Sequence, residues 1–444
     1  MLTPEDKDLI AELQAELRRT SRTDLLMWRY YRLRQRLEHL GMAIPPAMRR
    51  FLVIGNWCRV AVDVPVARQQ IRAMILPGEE EADPTLRAIA DANNLDSHIR
   101  MFSRDAKIFG RSFMSIGTNE DSPELPLMRV EPPRAMAALV DIRTERMRAA
   151  GRFYTEKNRS TASMVTLYLP GETKLAQRGK TGWEQVGDTE EHDYDVPVVM
   201  QLNRRISGEW VGESQLTDMI PLVDAAGRSM TNMQFAQEAH GVPALWATGV
   251  TQKDFVDDKG DPIPQFEAYY DVIKMLSSDT AKWGQFTAAD LKNFETSLRV
   301  YGQQASIVTG FPARYFGITS ANPPTEGSIR AEEAQLVRAV EMDNADLGMV
   351  LGWAGALAYQ FATGQEVVGN RVKLDWFDPA TPTVAQRMDA IVKAKASGIL
   401  SREGAWDELG WSEARKSRER GYFEREASAD PELSLARALA DGTV

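Results

Sequence analysis

Gly310-Phe311-Pro312-Ala313-Arg314-Tyr315-Phe316-Gly317-Ile318-Thr319-Ser320-Ala321-Asn322-Pro323-Pro324-Thr325-Glu326-Gly327 separates two segments that both read as helix. Asp290 to Val308 leads into it, and Ser328 to about Phe361 follows as a helix of more than thirty residues. A Gly/Pro-rich loop between two long helices is a mechanical arrangement rather than a catalytic one. Pro323 and Pro324 stiffen it by fixing φ, and Gly327 supplies a hinge. Thr325 or Ser328 is placed to cap the second helix, with Glu326 near its positive end. Taken by itself this is a turn between helices, and its meaning depends on what it faces.

Working outward, helices frame a strand-rich middle, which makes the chain α+β. Residues 4 to 20 carry Leu9, Ile10, Leu13 and Leu17 at helical spacing. Thr20-Ser21-Arg22-Thr23-Asp24 reads as a break before a second helix from Leu25 to Leu40. That helix interleaves Trp28, Tyr30, Tyr31 and Leu33 with arginines. Two readings fit this cluster: a nucleic-acid contact, or aromatics packed inward with arginines outward; the second is favoured. Asn56 to Leu76 reads largely as helix, followed by helices over 84–93 and 96–109. Strands are expected at 111–117, 127–130, 136–142, 146–156, 162–169 and 198–202, with hairpin turns at Gly171-Glu172-Thr173 and Arg178-Gly179-Lys180-Thr181-Gly182. From Gly212 a stripe of Leu216, Met219, Ile220, Val223, Ala226, Met230 and Met233 marks a helix to about His240. A short strand over 244–249 and a proline-bearing excursion to Asp279 lead back to the opening stretch. A strand at 372–376, the linker Asp378-Pro379-Ala380-Thr381-Pro382 and polar helices over 383–409 and 412–439 complete the chain.

The totals exclude several classes. A chain of 444 residues with 43% apolar residues can bury a substantial core across two or three folding units. One cysteine, Cys58, and four scattered histidines argue against a disulfide framework and a cysteine- or histidine-built metal site, so no metal or cofactor is expected. No run is long and apolar enough for a membrane helix, and the first residues lack a signal-peptide pattern, so a reducing cytoplasm is expected during synthesis. The net charge of −10 disfavours tight static binding of nucleic acid. Catalytic signatures fail one by one. Gly179-Lys180-Thr181 ends like a phosphate-binding loop, but Lys174 stands where its first glycine belongs. The Asp254–Asp261 turn lacks the ligand ladder of a calcium loop. Glu332 and Glu333 are adjacent on a helix and diverge instead of converging on a substrate. No enzyme activity is expected.

The order of these elements resembles portal proteins of tailed bacteriophages, in particular long-tailed phages infecting actinobacteria. The resemblance is carried by Tyr30-Tyr31-Arg32-Leu33-Arg34 leading to Asn56-Trp57-Cys58-Arg59-Val60-Ala61-Val62-Asp63, and by Gly212-Glu213-Ser214 through Ile220-Pro221-Leu222-Val223-Asp224-Ala225. Gly310 to Gly317 and Asn322-Pro323-Pro324-Thr325-Glu326-Gly327-Ser328-Ile329-Arg330-Ala331-Glu332-Glu333 complete it. The resemblance implies a ring of twelve copies at one capsid vertex, forming the channel through which double-stranded DNA is packaged and ejected. It also implies an N-terminal arm (1–24), a wing (25–211 and 311–380), stem helices (212–240 and 288–310), a clip (241–287) and a crown (381–444). The implied partners are the large terminase and a head-completion adaptor at the clip, with major capsid and scaffold proteins at wing and crown. In that frame Thr319, Ser320, Asn322, Pro323, Pro324, Thr325 and Glu326 belong to a tunnel loop facing DNA, with Thr319, Ser320 and Asn322 offering neutral hydrogen-bonding groups. Trp246, Asp257, Asp258, Lys259, Tyr269 and Tyr270 belong to the clip's docking surface. The other readings are a minor capsid or scaffolding protein and a capsid-associated packaging enzyme.

Overall fold

The computed structural model of the chain describes residues 1–35, 55–119, 122–155, 162–241, 245–249, 282–285, 291–319, 325–380, 384–411 and 413–429. Contacts divide the chain into Met1–Pro379 and Ala380–Val444.

The first unit opens with α1 (Pro4–Tyr31). Thr3 starts it with a capping box: its hydroxyl accepts from the Asp6 N–H at 3.1 Å, and the Asp6 carboxylate accepts from the Thr3 N–H at 2.8 Å. The break expected at Thr20–Asp24 does not occur. Thr20 and Asp24 lie on the buried face, where the Arg111 guanidinium reaches both at 2.8 Å, so their side chains are satisfied without unwinding the backbone. The helix also stops at Tyr31, with Leu33 in the left-handed region, and residues 36–40 of the helix expected to Leu40 lie outside the described residues.

α2 (Trp57–Val66) ends one residue after Pro65, and the helix expected to Leu76 gives way to strand β1 (Ile71–Ile75). The β-branched ends of β1 suit the strand state, and a distant segment, Lys373–Trp376, supplies its partner. α3 (Pro84–Ala92) and α4 (Leu95–Phe109) follow, α3 capped by Asp83 and α4 closed by Gly110 at φ 79°. Next come β2 (Arg111–Gly117), β3 (Leu127–Glu131), β4 (Met136–Asp141), β5 (Arg146–Tyr154), β6 (Met164–Leu169), β7 (Glu172–Arg178), β8 (Trp183–Gln185), β9 (Glu190–Glu191) and β10 (Val198–Leu202). β4 to β8 form an antiparallel meander with β9 on β7, while β2 lies between β10 and β3 in a separate sheet. Glu172 and Thr173 belong to β7 and not to the preceding turn. Lys174 is buried there, 2.6 Å from Glu172 and 3.1 Å from Asp6, which removes it from any phosphate-loop role.

α5 (Ile220–Gly241) begins later than Gly212, because Pro221 belongs in a first turn and the residues before it are tied to α4. Ser214 donates to the Ile108 carbonyl at 2.6 Å, and Gln215 N–H to that of Lys107 at 2.8 Å. β11 (Leu245–Thr248) pairs antiparallel with β12 (Lys282–Gln285). α6 (Lys292–Thr309) packs beside α5, α7 (Glu326–Thr363) runs for 38 residues, and β13 (Lys373–Trp376) returns to β1.

Among the described residues three large hydrophobic cores hold this unit, with a smaller fourth of Phe113, Met136, Ala150, Val196 and Val198. Leu2, just before α1, and Ile10 and Leu13 within it lie on the meander, against Phe153, Val165 and Leu167. The second half of α7 (Leu347, Leu351, Ala354) meets Phe102, Met114, Ile116 and Leu86. Gly352 allows the approach to the β13 lead: a Cβ there would stand 2.5 Å from the Val372 carbonyl oxygen, whose own N–H donates to Gly352 at 3.0 Å. The third core surrounds the candidate site.

The second unit contains α8 (Val384–Ala396), α9 (Arg402–Glu408) and α10 (Glu413–Ala429). The helix expected over 383–409 is interrupted at Gly398, which sits at φ 73°, and restarts on the Ser401 cap. Buried Trp406 stacks on Trp411 and Phe423 at 5.7 and 5.8 Å, while Arg402 and Arg415 cover Phe423 and Trp411.

Candidate functional site

The loop between α6 and α7 is anchored at both ends. Gly310 terminates α6 at φ 70°, its N–H donating to the Ser306 carbonyl at 2.9 Å. Phe311 and Phe316 then enter the third core, which gathers Tyr30, Tyr31, Ala61, Val62, Phe109, Met219, Val223, Leu336 and Val340 from α1, α2, α4, the α5 lead, α5 and α7. Between the two phenylalanines the backbone makes one 3₁₀ turn, Ala313–Phe316. Ile318 folds back onto α6: a Cβ on buried Gly302 would lie 3.0 Å from its side chain. On the far side Thr325 caps α7, its hydroxyl accepting from Ser328 N–H at 3.4 Å, while Ser328 Oγ donates to the Thr325 carbonyl at 2.9 Å.

An ion-pair network locks this base. Arg314 donates to Glu332 at 2.8 Å and, through its other terminal nitrogen, to Glu333. Arg68 approaches Glu333 at 3.1 Å, with side chains only 12% and 10% exposed, and donates to Tyr315 Oη at 3.2 Å. Its remaining nitrogen donates to the Pro379 carbonyl at 3.0 Å. Burial works against the Arg68 charge, but Tyr315 and Glu333 outweigh it and hold its pKa above the ordinary value. The two glutamates therefore do meet, on one guanidinium rather than on a substrate. A second tie, Lys107 to Asp343 at 2.5 Å, lashes α7 to α4.

The predicted site residues distribute as follows. Thr319 is exposed at the end of the anchored turn, Thr325 is exposed at the cap, and Glu326 is the first residue of α7. Ser320, Asn322, Pro323 and Pro324 lie outside the described residues. Trp246 sits in β11 opposite Gly284, and Asp257, Asp258, Lys259, Tyr269 and Tyr270 lie outside the described residues. From sequence, Arg68, Arg314 and Tyr315 were given no site role, and Glu333 read only as half of a diverging acid pair. The visible signal was Arg314 following a Gly-Phe-Pro break, with an acid pair one helical entry later.

The aromatic–arginine cluster separates into two populations. Tyr30 and Tyr31 are buried, donating to Asp224 at 2.8 Å and Asp63 at 3.0 Å, and Trp28 stacks on Phe109 at 6.1 Å. Arg29, Arg32 and Arg34 remain exposed. Cys58 is buried and its thiol is pushed up to about 12 by burial and by Asp224, which leaves it inert at neutral pH. No helix among the described residues is long and apolar enough to cross a membrane.

A family model described as "Phage portal protein, SPP1 Gp6-like" matches residues 26–430. This chain belongs to the phage portal protein family. The portal protein of Mycobacterium phage D29 is 32% identical over 426 residues, covering 94% of this chain and 88% of that one. The portal protein of Mycobacterium phage L5 is 31% identical over the same length. Among solved structures, the neck of a native gene transfer agent particle computed with C12 symmetry aligns over 88% of the chain, at 12% identity and a TM-score of 0.47. The virion of the native particle aligns over 84% at a TM-score of 0.46. The portal family is structural rather than catalytic.

Proposed function

We propose that this chain is the portal subunit of a phage capsid, closing with other copies into a ring at one vertex through which double-stranded DNA is packaged and ejected. The observation that carries the reading is the family match over almost the whole chain, reinforced by close relatives that are themselves portal proteins. The parts fit the task. α5 and α6 pack side by side as the stem, and β11 and β12 join at their ends as the root of the clip. The segment 319–326 is the tunnel loop, carried on the base that Arg68, Arg314 and Glu333 tie together. Twelve copies, a terminase and then an adaptor at the clip, and capsid and scaffold proteins at wing and crown complete the assignment. Assembly takes place in the host cytoplasm. A subunit of net charge −10 suits a conduit, because each neutralised phosphate adds to the grip on a polymer that must slide. Electron microscopy of the purified protein is expected to show closed rings, and the protein alone is expected to hydrolyse no ATP. Strictly monomeric particles would sink the assignment.

A further inference from the structure

Within an acidic protein, α1 carries a strip of the opposite sign. Arg18, Arg22 and Arg29 of α1 and Arg32 at its C-cap are exposed, and at about 100° per residue they fall within a strip about 80° wide, away from the buried face of Leu13, Asp24 and Met27. Their acidic neighbours are already engaged. Glu16 pairs with Arg19 at 2.6 Å, Glu12 with Arg148, and Asp24 is buried against Arg111. At the C-terminal end Asp63 is shared between Arg104 at 3.1 Å and Arg59 at 3.7 Å, and the Arg32 guanidinium stands 5.2 Å from the Trp28 ring.

We propose that this arginine strip is a sequence-independent contact for the phosphate backbone of duplex DNA, separate from the tunnel loop. The choice of DNA as the polyanion rests on the portal reading; the strip itself does not. Three features favour a phosphate backbone over an acidic protein. The cations are all arginine, whose planar fork meets phosphate with two parallel hydrogen bonds. Exposed Leu26 and Leu33 lie at the margin of the strip and only half-buried Leu25 falls within it, so charge dominates its centre, the reverse of a protein interface with its apolar centre. From Arg18 to Arg32 the strip rises about 21 Å, roughly the length of six base pairs. The acidic remainder of the subunit keeps the contact weak and reversible.

The test is fluorescence anisotropy of a short labelled duplex titrated with the full-length protein, over salt from about 50 to 200 mM. Replacing Arg18, Arg22 and Arg29 by Gln should weaken binding at low salt by roughly tenfold and reduce the slope of log K against log salt by about 2.7. A control with the same charge change elsewhere, Arg87→Gln, Arg143→Gln and Arg178→Gln, should leave the slope nearly unchanged. Equal losses in both variants, or none in the strip variant, overturn the proposal. So does a strip variant that keeps its DNA slope but loses ring assembly, since the strip is then a contact between proteins. Circular dichroism melting confirms the fold of each variant. Rings imaged in parallel separate the two questions: a wild type without rings fails the portal reading, while the anisotropy still answers for the strip.

Discussion

Gly212 sits where the chain leaves β10 and crosses the end of α4, and no other residue fits. A Cβ there would stand 1.9 Å from the Gly110 carbonyl oxygen and 2.6 Å from that of Asn203, and one on Gly110 would meet Gly212 at 2.3 Å. Both obstacles are backbone, held by Asn203 N–H to Gly110 and Glu213 N–H to Asn203, each at 2.9 Å, so neither can rotate away. Gly212→Ala is expected to cost at least about 3 kcal/mol, the upper range for overpacking, seen as a lower urea midpoint at unchanged slope. Asp105 makes a different residue-level prediction. Burial raises its pKa from 3.8 to about 7, against a smaller opposing effect from Arg104. The folded chain therefore holds this proton after the unfolded chain has released it, and the group's contribution to stability falls as the pH rises from about 4 to about 7. Asp105→Asn is expected to raise the melting midpoint at pH 8, with the gain vanishing near pH 4. A pH-independent gain would reject the assignment.

At the scale of elements, the helix–loop–helix unit was legible where local chemistry decides it. Gly310, the two prolines and the Thr325 cap marked the boundaries of α6 and α7 to within a few residues. The network beneath the loop was not legible, because Arg68 and Glu333 are far apart in sequence and each alone reads as a surface charge. The anchored base makes the loop separable from the body. Deleting Asn322, Pro323 and Pro324 while keeping the Thr325 cap is expected to leave ring assembly intact and to reduce DNA-filled capsids in a complementation assay by at least tenfold. Loss of rings would make the loop a structural element. α1 shows the opposite failure: a polar run that looks like a break is a buried docking face for Arg111, which becomes evident only once β2 lies against it.

At the scale of the molecule, ring closure is heterologous and needs two complementary faces on each subunit. The exposed apolar residues Met342, Met349 and Trp353 share one face of α7. By itself the sequence determined the α+β class, most of the order of helices and strands, the lack of a recognisable catalytic motif and the portal resemblance. Those follow from periodicity, glycine and proline placement and motif spacing, which are local properties. Only the tertiary structure decided that Ile71–Ile75 is a strand, since its partner is about three hundred residues away. It alone showed which charges are spent inside and which remain outside. Asp24, Lys174 and Glu333 are buried in pairs, and the α1 arginines face water, because burial of a charge depends on what the fold brings beside it. The boundaries of the loop that opened the sequence are set by its own residues, and the anchoring of its described base by residues elsewhere.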